Sequence, residues 1–191
     1  MKRARTSGGG SVTGGTGDVK PQILTLDSGT AAALSDYTVN RIALPVPRFG
    51  AMKTKATIFE ILYVDWYMGI EDLADHENTK FAYLTTSTTR QSGDTASFPS
   101  AATDVTDPKT FAFVLRDQTL ETSGASEVAM PVRINLTDNN GNGHLVATDQ
   151  LSIVFADVAG SIVASAVAKV GYRLVNVGIQ EYVGIVQSQQ G

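Results

Sequence analysis

Cysteine is absent from the 191 residues, which excludes disulfides, thiolate metal sites and cysteine nucleophiles. Histidine occurs only twice, at His76 and His144. Neither lies in a HExxH pattern, and two histidines so far apart are a poor match to a multi-histidine metal centre of the cupin type. No GxSxG elbow is present. The glycine-rich run GGGSVTGGTG follows no strand and opens no helix, so nothing would hold a phosphate there. Long apolar runs are missing too. The longest uncharged one, Val158 to Ala168, is ended by Lys169, well short of the ~20 residues of a membrane helix. The basic N-terminus is not followed by an apolar stretch, unlike a secretory signal. Charged residues make up only 18% of the chain. These absences leave a protein that acts by binding or assembling rather than by catalysis.

What is present is β sequence. Hydrophobic residues make up 42%, enough for a core in a chain whose length suits one domain. Thr, Ser, Val, Ala and Gly are abundant, and β-branched residues fit a pleated surface while Gly fits turns. Alternation predicts strands over Tyr37–Pro47, Thr54–Met68, Phe81–Thr86, Thr110–Arg116, Val128–Thr137, His144–Thr148, Leu151–Phe155, Ser165–Val177 and Ile179–Val186. In the second of these, Ile58, Glu60, Leu62 and Val64 are expected on one face and Phe59, Ile61, Tyr63 and Asp65 on the other. In Ser165–Val177, Lys169 and Arg173 oppose Val170, Tyr172 and Leu174. Residues 69–80 (GIEDLADHENTK) read as a short helix or an acidic loop. Eight or nine short strands joined by Gly, Asn, Asp, Ser and Pro indicate an all-β sandwich or barrel.

The charge is asymmetric. Residues 1–22 carry Lys2, Arg3, Arg5 and Lys20 against Asp18, a balance of +3, while the other 169 residues carry 11 basic and 18 acidic side chains, a balance of −7. The first segment is rich in Gly and poor in large apolar residues, so it is expected to be a flexible basic arm, with the folded domain over residues 23–191. Lys and Arg release counterions on binding nucleic acid. KRAR also reads as a nuclear-import signal or a solubilising tail. Three net charges bind weakly alone, but many copies on one surface bind through effective concentration.

One motif points to a metal. TDNNGNGHLVATD, residues 137–149, offers Asp138, Asn140, Asn142 and Asp149 as oxygen ligands at calcium-loop spacing, with Gly143 at the sharp turn. Its flanks, however, have strand period, and Asp149 is shorter than the Glu that usually closes such a loop. The other reading is a hairpin loop in which Asn and Gly accept positive φ. The acidic cluster Glu71, Asp72, Asp75 and Glu77 reads as a solvated surface.

Three segments carry a family resemblance. Leu145–Asp149 (LVATD) follows a Gly-rich loop, Lys169–Arg173 (KVGYR) has the form K-x-x-Y-R, and Glu181–Gln189 (EYVGIVQSQ) closes the chain. Together they resemble the C-terminal part of capsid proteins of circular, Rep-encoding single-stranded DNA viruses. The basic start and Leu44–Arg48 (LPVPR) also fit. The resemblance covers about 50 residues. It implies a single jelly-roll β-sandwich of about eight antiparallel strands. It also implies self-assembly into an icosahedral shell of sixty copies around single-stranded DNA, and a place in the virion, with assembly in the host cell and its nucleus. The arm is shorter and less Arg-rich than in many such capsids. Sixty arms of +3 give about 180 charges, several-fold fewer than the phosphates of a genome of about a thousand nucleotides. Arg41, Arg48, Lys53, Lys55 and Arg173 are the candidates for further inward charge.

A calcium-dependent β-sandwich carbohydrate-binding or adhesin module is the alternative. It accounts for the Asn/Asp/Gly loop and the Thr-rich surface, but not for the basic arm.

Overall fold

The computed structural model describes residues 21–29, 36–68, 78–118, 131–158 and 165–190. Its strands are β1 (Gln22–Asp27), β2 (Tyr37–Ala43), β3 (Arg48–Phe49), β4 (Lys55–Met68), β5 (Asn78–Thr85), β6 (Thr110–Gln118), β7 (Val132–Asn135), β8 (His144–Val146), β9 (Gln150–Val158) and β10 (Ala166–Gly178). Two helices, α1 (Phe98–Thr106) and α2 (Ile179–Gln190), complete the described elements. All pairings are antiparallel. One sheet has the order β1-β10-β4-β3, with β7 and β8 also on β4; the other has the order β2-β9-β5-β6. The two sheets of this sandwich share out the strands as a jelly roll does.

The sheets close on a core to which the first contributes Leu26, Phe59, Ile61, Val64, Trp66 and Val170, and the second Leu84, Val114, Leu151, Ile153 and Phe155. Trp66 is 1% exposed, and its indole Nε1 donates to Ala112 O across the core at 2.9 Å. That carbonyl is presented by a bulge in β6. Ala82 faces Val114 but Leu84 faces Phe111, so two residues of β6 oppose one of β5. Ala112 there takes a φ of 53°, a bulge conformation normally left to glycine.

β4 carries a second bulge, which corrects the face assignment. Tyr63 pairs with Gly171 and Ile61 with Tyr172, so Leu62 is passed over. Side-chain parity therefore reverses at Leu62: Phe59 and Ile61 enter the core together with Val64 and Trp66. On β10, which has no such insertion, Val170, Tyr172 and Leu174 face the core together, as their alternation predicts.

The free edge of β4 is tiled by three short strands in succession. β3 covers Ala56–Thr57, β8 covers Phe59–Ile61 and β7 covers Tyr63–Trp66. β7 and β8 thus share one partner and do not pair with each other. The segment between them is an excursion from an interrupted edge strand rather than the tip of a hairpin.

Sheet two is apolar on its outer face as well. Tyr37, Phe81, Tyr83, Val154 and Ala156 pack there with Ala101 of α1. Ser97 caps α1, its side chain accepting from Ser100 N. Asp104 fastens the helix to the sheet, accepting from Tyr37 Oη at 2.6 Å, from Tyr83 Oη at 2.9 Å and from Arg90 through Nε and Nη2 at 3.0 and 2.7 Å. Burial and then the adjacent carboxylate raise both phenols far above their ordinary pKa, so they remain hydrogen-bond donors.

Ile179–Val186 is helical, not a strand. Ile179, Glu181, Val183 and Ile185 satisfy period two. Tyr182, Ile185, Val186 and Gln189 satisfy period 3.6, and the first three pack on Ala56, Ile58, Val175 and Val177. Asn78–Lys80 of the expected helix or acidic loop begin β5; Glu71, Asp72, Asp75, His76 and Glu77 lie outside the described residues, as does 128–130 of the expected strand over Val128–Thr137.

Candidate functional site

Glu60 stands in an otherwise apolar run, TIFEILYV, on the central strand β4, where a buried carboxylate needs a partner. Arg173 of β10 lies directly opposite. Its Nε donates to Glu60 Oε2 at 2.5 Å and its Nη2 to Oε1 at 2.9 Å. Gly143 N donates to the same Oε1 at 2.6 Å, and Arg173 Nη2 also reaches Gly141 O at 3.1 Å. The pair therefore clamps the excursion between β7 and β8 onto the outer face of the first sheet. The Glu60 side chain is 5% exposed and that of Arg173 29%.

Within the excursion Asp138 organises the chain. Its Oδ1 accepts from Asn140 N at 2.8 Å and Asn142 N at 2.9 Å, and its Oδ2 from Asn142 Nδ2 at 3.1 Å. Hydrogen bonds from Asn142 and Asn140 hold its carboxyl below the usual range. Gly141 alone in this stretch takes positive φ, at 78°. Gly143 is required for closeness instead: a Cβ there would lie 2.2 Å from Ile61 O. Asp149 is not gathered in by this turn. It lies beyond β8, a separation of ~10 Å for the three strand residues alone, and there burial first and Asp149 second raise the pKa of Tyr182. Among the described residues no three or more His, Cys, Asp or Glu side chains converge.

The Glu60 pair sets a pH dependence. Arg173 first, then the Gly143 N–H, lower the Glu60 pKa from 4.5, outweighing burial. The folded carboxylate thus binds a proton less readily than the unfolded one, so its contribution to stability is full above about pH 4.5 and declines as pH falls further. The expected result is a gap in melting temperature between wild type and Glu60→Gln that is constant from about pH 8 to pH 5 and narrows below about pH 4.5. Circular dichroism melts across that range check it.

Besides apolar packing on Leu145, α2 is hydrogen-bonded to β8 and the residue after it through one side chain. Gln189 Nε2 donates to Leu145 O at 2.6 Å and Gln189 Oε1 accepts from Ala147 N at 3.0 Å. The carboxamide thereby acts as the peptide group of a missing neighbouring strand. Beside it lies a polar cleft of about 320 Å³ lined by Thr86, Thr88, Lys109, Thr148, Asp149 and Gln150 among others. His144 lies half-buried nearby against Phe111, with ring centroids 4.3 Å apart, and burial lowers its pKa.

The basic residues fall into separate groups. Lys2, Arg3, Arg5 and Lys20 lie outside the described residues. Arg173 is taken up by Glu60. Arg41 donates to Gln91 Oε1 and to the carbonyls of Thr88 and Arg90. Arg48, Lys53 and Lys55 sit together on the β3–β4 hairpin. Sequence reasoning missed Glu60, whose signal was its apolar context, and Gln189, which carried none.

No protein-family model matches the chain, and no curated protein sequence is detectably similar to it. Its fold is nevertheless shared with solved proteins. VP1 of trichodysplasia spinulosa-associated polyomavirus, in complex with GM1 oligosaccharide, superposes with a TM-score of 0.56 over 85% of this chain and 96% of that one, at 12% identity. The Merkel cell polyomavirus virus-like particle matches with a TM-score of 0.56 over 94% of this chain and 81% of that one, at 14% identity. The unassembled VP1 pentamer of the same virus gives 0.54, covering 86% and 98%, at 14% identity. The chain therefore has the fold of these viral proteins over nearly its whole described length.

Proposed function

We propose that the protein is a viral coat protein whose copies assemble into a closed shell around single-stranded DNA, sixty in the smallest icosahedral arrangement. The observation that carries this is the jelly roll shared almost end to end with chains solved as a pentamer and as a virus-like particle. The C-terminal motifs supply the finer assignment to circular, Rep-encoding single-stranded DNA viruses. The charge pattern supports it as well: a +3 arm on a −7 body suits a subunit that presents its arm to nucleic acid.

The role is geometric rather than catalytic. A sandwich covered on both sheet faces carries excursions such as 136–143, held in place by Glu60 and Arg173, that are exposed to make subunit contacts. Large apolar side chains stand exposed at several separate places, among them Ile23, Val105, Leu115 and Val132, which fits a subunit with more than one interface. Lys2, Arg3, Arg5 and Lys20 are assigned to DNA. Carboxylates brought together at contacts would repel unless bridged; Asp138, Asn140 and Asn142 are the residues that one turn could offer to a calcium ion there, with Asp149 set apart beyond β8.

Size-exclusion chromatography followed by negative-stain microscopy tests the reading, with absorbance at 260 and 280 nm reporting nucleic acid. Uniform round particles are expected. A monomer or small oligomer that stays small across salt and calcium would overturn it in favour of a carbohydrate-binding module. Particles that stay intact in chelator from about pH 5 to pH 9 remove the calcium bridge alone.

A further inference from the structure

Three cations with no carboxylate partner among the described residues lie together on the hairpin formed by β3, its turn and the start of β4. The segment RFGAMKTK, residues 48–55, contains Arg48, Lys53 and Lys55 and no acid. All three are exposed. Among the described residues, Arg90, Arg133 and Arg173 each pair with Asp or Glu; these three do not.

The hairpin is built rather than loose. Gly50 N donates to Lys55 O at 3.1 Å and Lys53 N to Gly50 O at 2.8 Å. Arg48 Nε donates to Pro45 O at 2.9 Å, which orients the guanidinium while leaving its terminal nitrogens unengaged. Ile179 N at the start of α2 donates to Thr54 O at 3.1 Å. Phe49 packs edge-on against Tyr182, with centroids 5.4 Å apart at 86°, yet remains 50% exposed; Met52 at the tip is 87% exposed.

The direction of β1 adds a second, independent observation. Gln22 faces Tyr172 and Asp27 faces Val167, so the chain reaches β1 from the side of Gly178. Gly178 is the residue paired with Lys55. The chain therefore enters β1 at Pro21 and Gln22 from the end of the sheet that carries the basic hairpin.

We propose that hairpin 48–55 is a contact for single-stranded nucleic acid. Arg48, Lys53 and Lys55 take phosphates, and Phe49, on the other face of β3 beside Tyr182, stacks its open face on a base of a strand that passes round the hairpin's rim. Cations interleaved with a held aromatic are the general means of gripping single strands without reading sequence. The inference deepens the coat-protein reading by naming where the strand is held, and it doubles the charge that each subunit brings to DNA.

The test is anisotropy of a labelled thirty-nucleotide oligo(dT) with full-length protein, titrated at salt concentrations from about 50 to about 200 mM. Each phosphate contact contributes about −0.7 to the slope of log K against log salt for a single strand. The combined Arg48→Gln, Lys53→Gln, Lys55→Gln variant should therefore lose about 2 from that slope. Phe49→Ala should weaken binding by about fivefold or more at fixed salt. Melting curves of each variant show that the fold is retained, and microscopy follows particle formation separately. A triple variant with wild-type affinity and slope overturns the inference. So does one that loses particles while keeping DNA binding, since the hairpin is then a subunit contact. A protein that binds oligo(dT) through the hairpin but forms no particles overturns the coat-protein reading and upholds this one.

Discussion

Replacing Asp104 by alanine should lower the melting temperature by roughly 10 °C, taking a loss of about 3–5 kcal/mol and ~2–4 °C per kcal/mol for a chain of this size. Asp104 is an acceptor for three side chains at once, and two of them, Tyr37 and Tyr83, are each 1% exposed. Removing it leaves two phenolic hydroxyls inside the protein without an acceptor, at about 1–3 kcal/mol each. It also leaves Arg90 without its anion, though with its side chain 25% exposed the guanidinium recovers part of that loss from water. Asp104→Asn isolates the two contributions. The amide keeps an acceptor oxygen for a hydroxyl but loses the charge facing Arg90, so it should fall between wild type and alanine. Trp66, the only tryptophan, is buried in the other layer of the molecule and gives a fluorescence signal for global unfolding. If Asp104→Ala melts within 2 °C of wild type, α1 is not fastened by this group.

The expectations that held are those in which one strand's pattern decides the matter. β10 alternates against a fixed core and β9 is an apolar run buried on both faces, so their extents were legible to within a few residues. The readings that failed each turned on a second segment. The reversal of face in β4 comes from an extra residue relative to β10, and Leu62 has nothing in its own sequence to announce it. NGNG was legible as turn chemistry, but its strands were assigned to each other when both belong to β4. Glu60 and Arg173 are 113 positions apart, so only the oddity of a carboxylate among Ile58, Phe59, Ile61 and Leu62 could have hinted at a pair. α1 was missed because FPSAATDVT is short and, apart from Ala101 and Ala102, holds only weak helix formers; tertiary contacts through Asp104 and Ala101 hold it.

Removing residues 179–191 should convert a well-behaved protein into one that aggregates or binds hydrophobic dye. α2 has little helical drive of its own, containing Gly184 and Val183 and Val186, so docking is what keeps it folded. In return it covers Ile58, Val175, Val177 and Ala147, each under 8% exposed. Uncovering that patch also frees Leu145 O on β8 and Ala147 N just beyond it. A short strand with open hydrogen-bonding groups beside an apolar surface is a template for pairing with another copy. Gln189→Ala tests the second effect alone, since the helix keeps Tyr182, Ile185 and Val186. It removes one donor and one acceptor from buried partners, worth about 1–3 kcal/mol and a fall of roughly 5 °C. Gln189→Glu should do at least as much harm: it retains an acceptor for Ala147 N but sets a carboxylate oxygen against Leu145 O. A Gln189→Ala protein with the wild-type melting temperature would mean that the apolar face alone holds the helix. A truncated chain that stays monodisperse by light scattering would mean that α2 is dispensable to the isolated subunit.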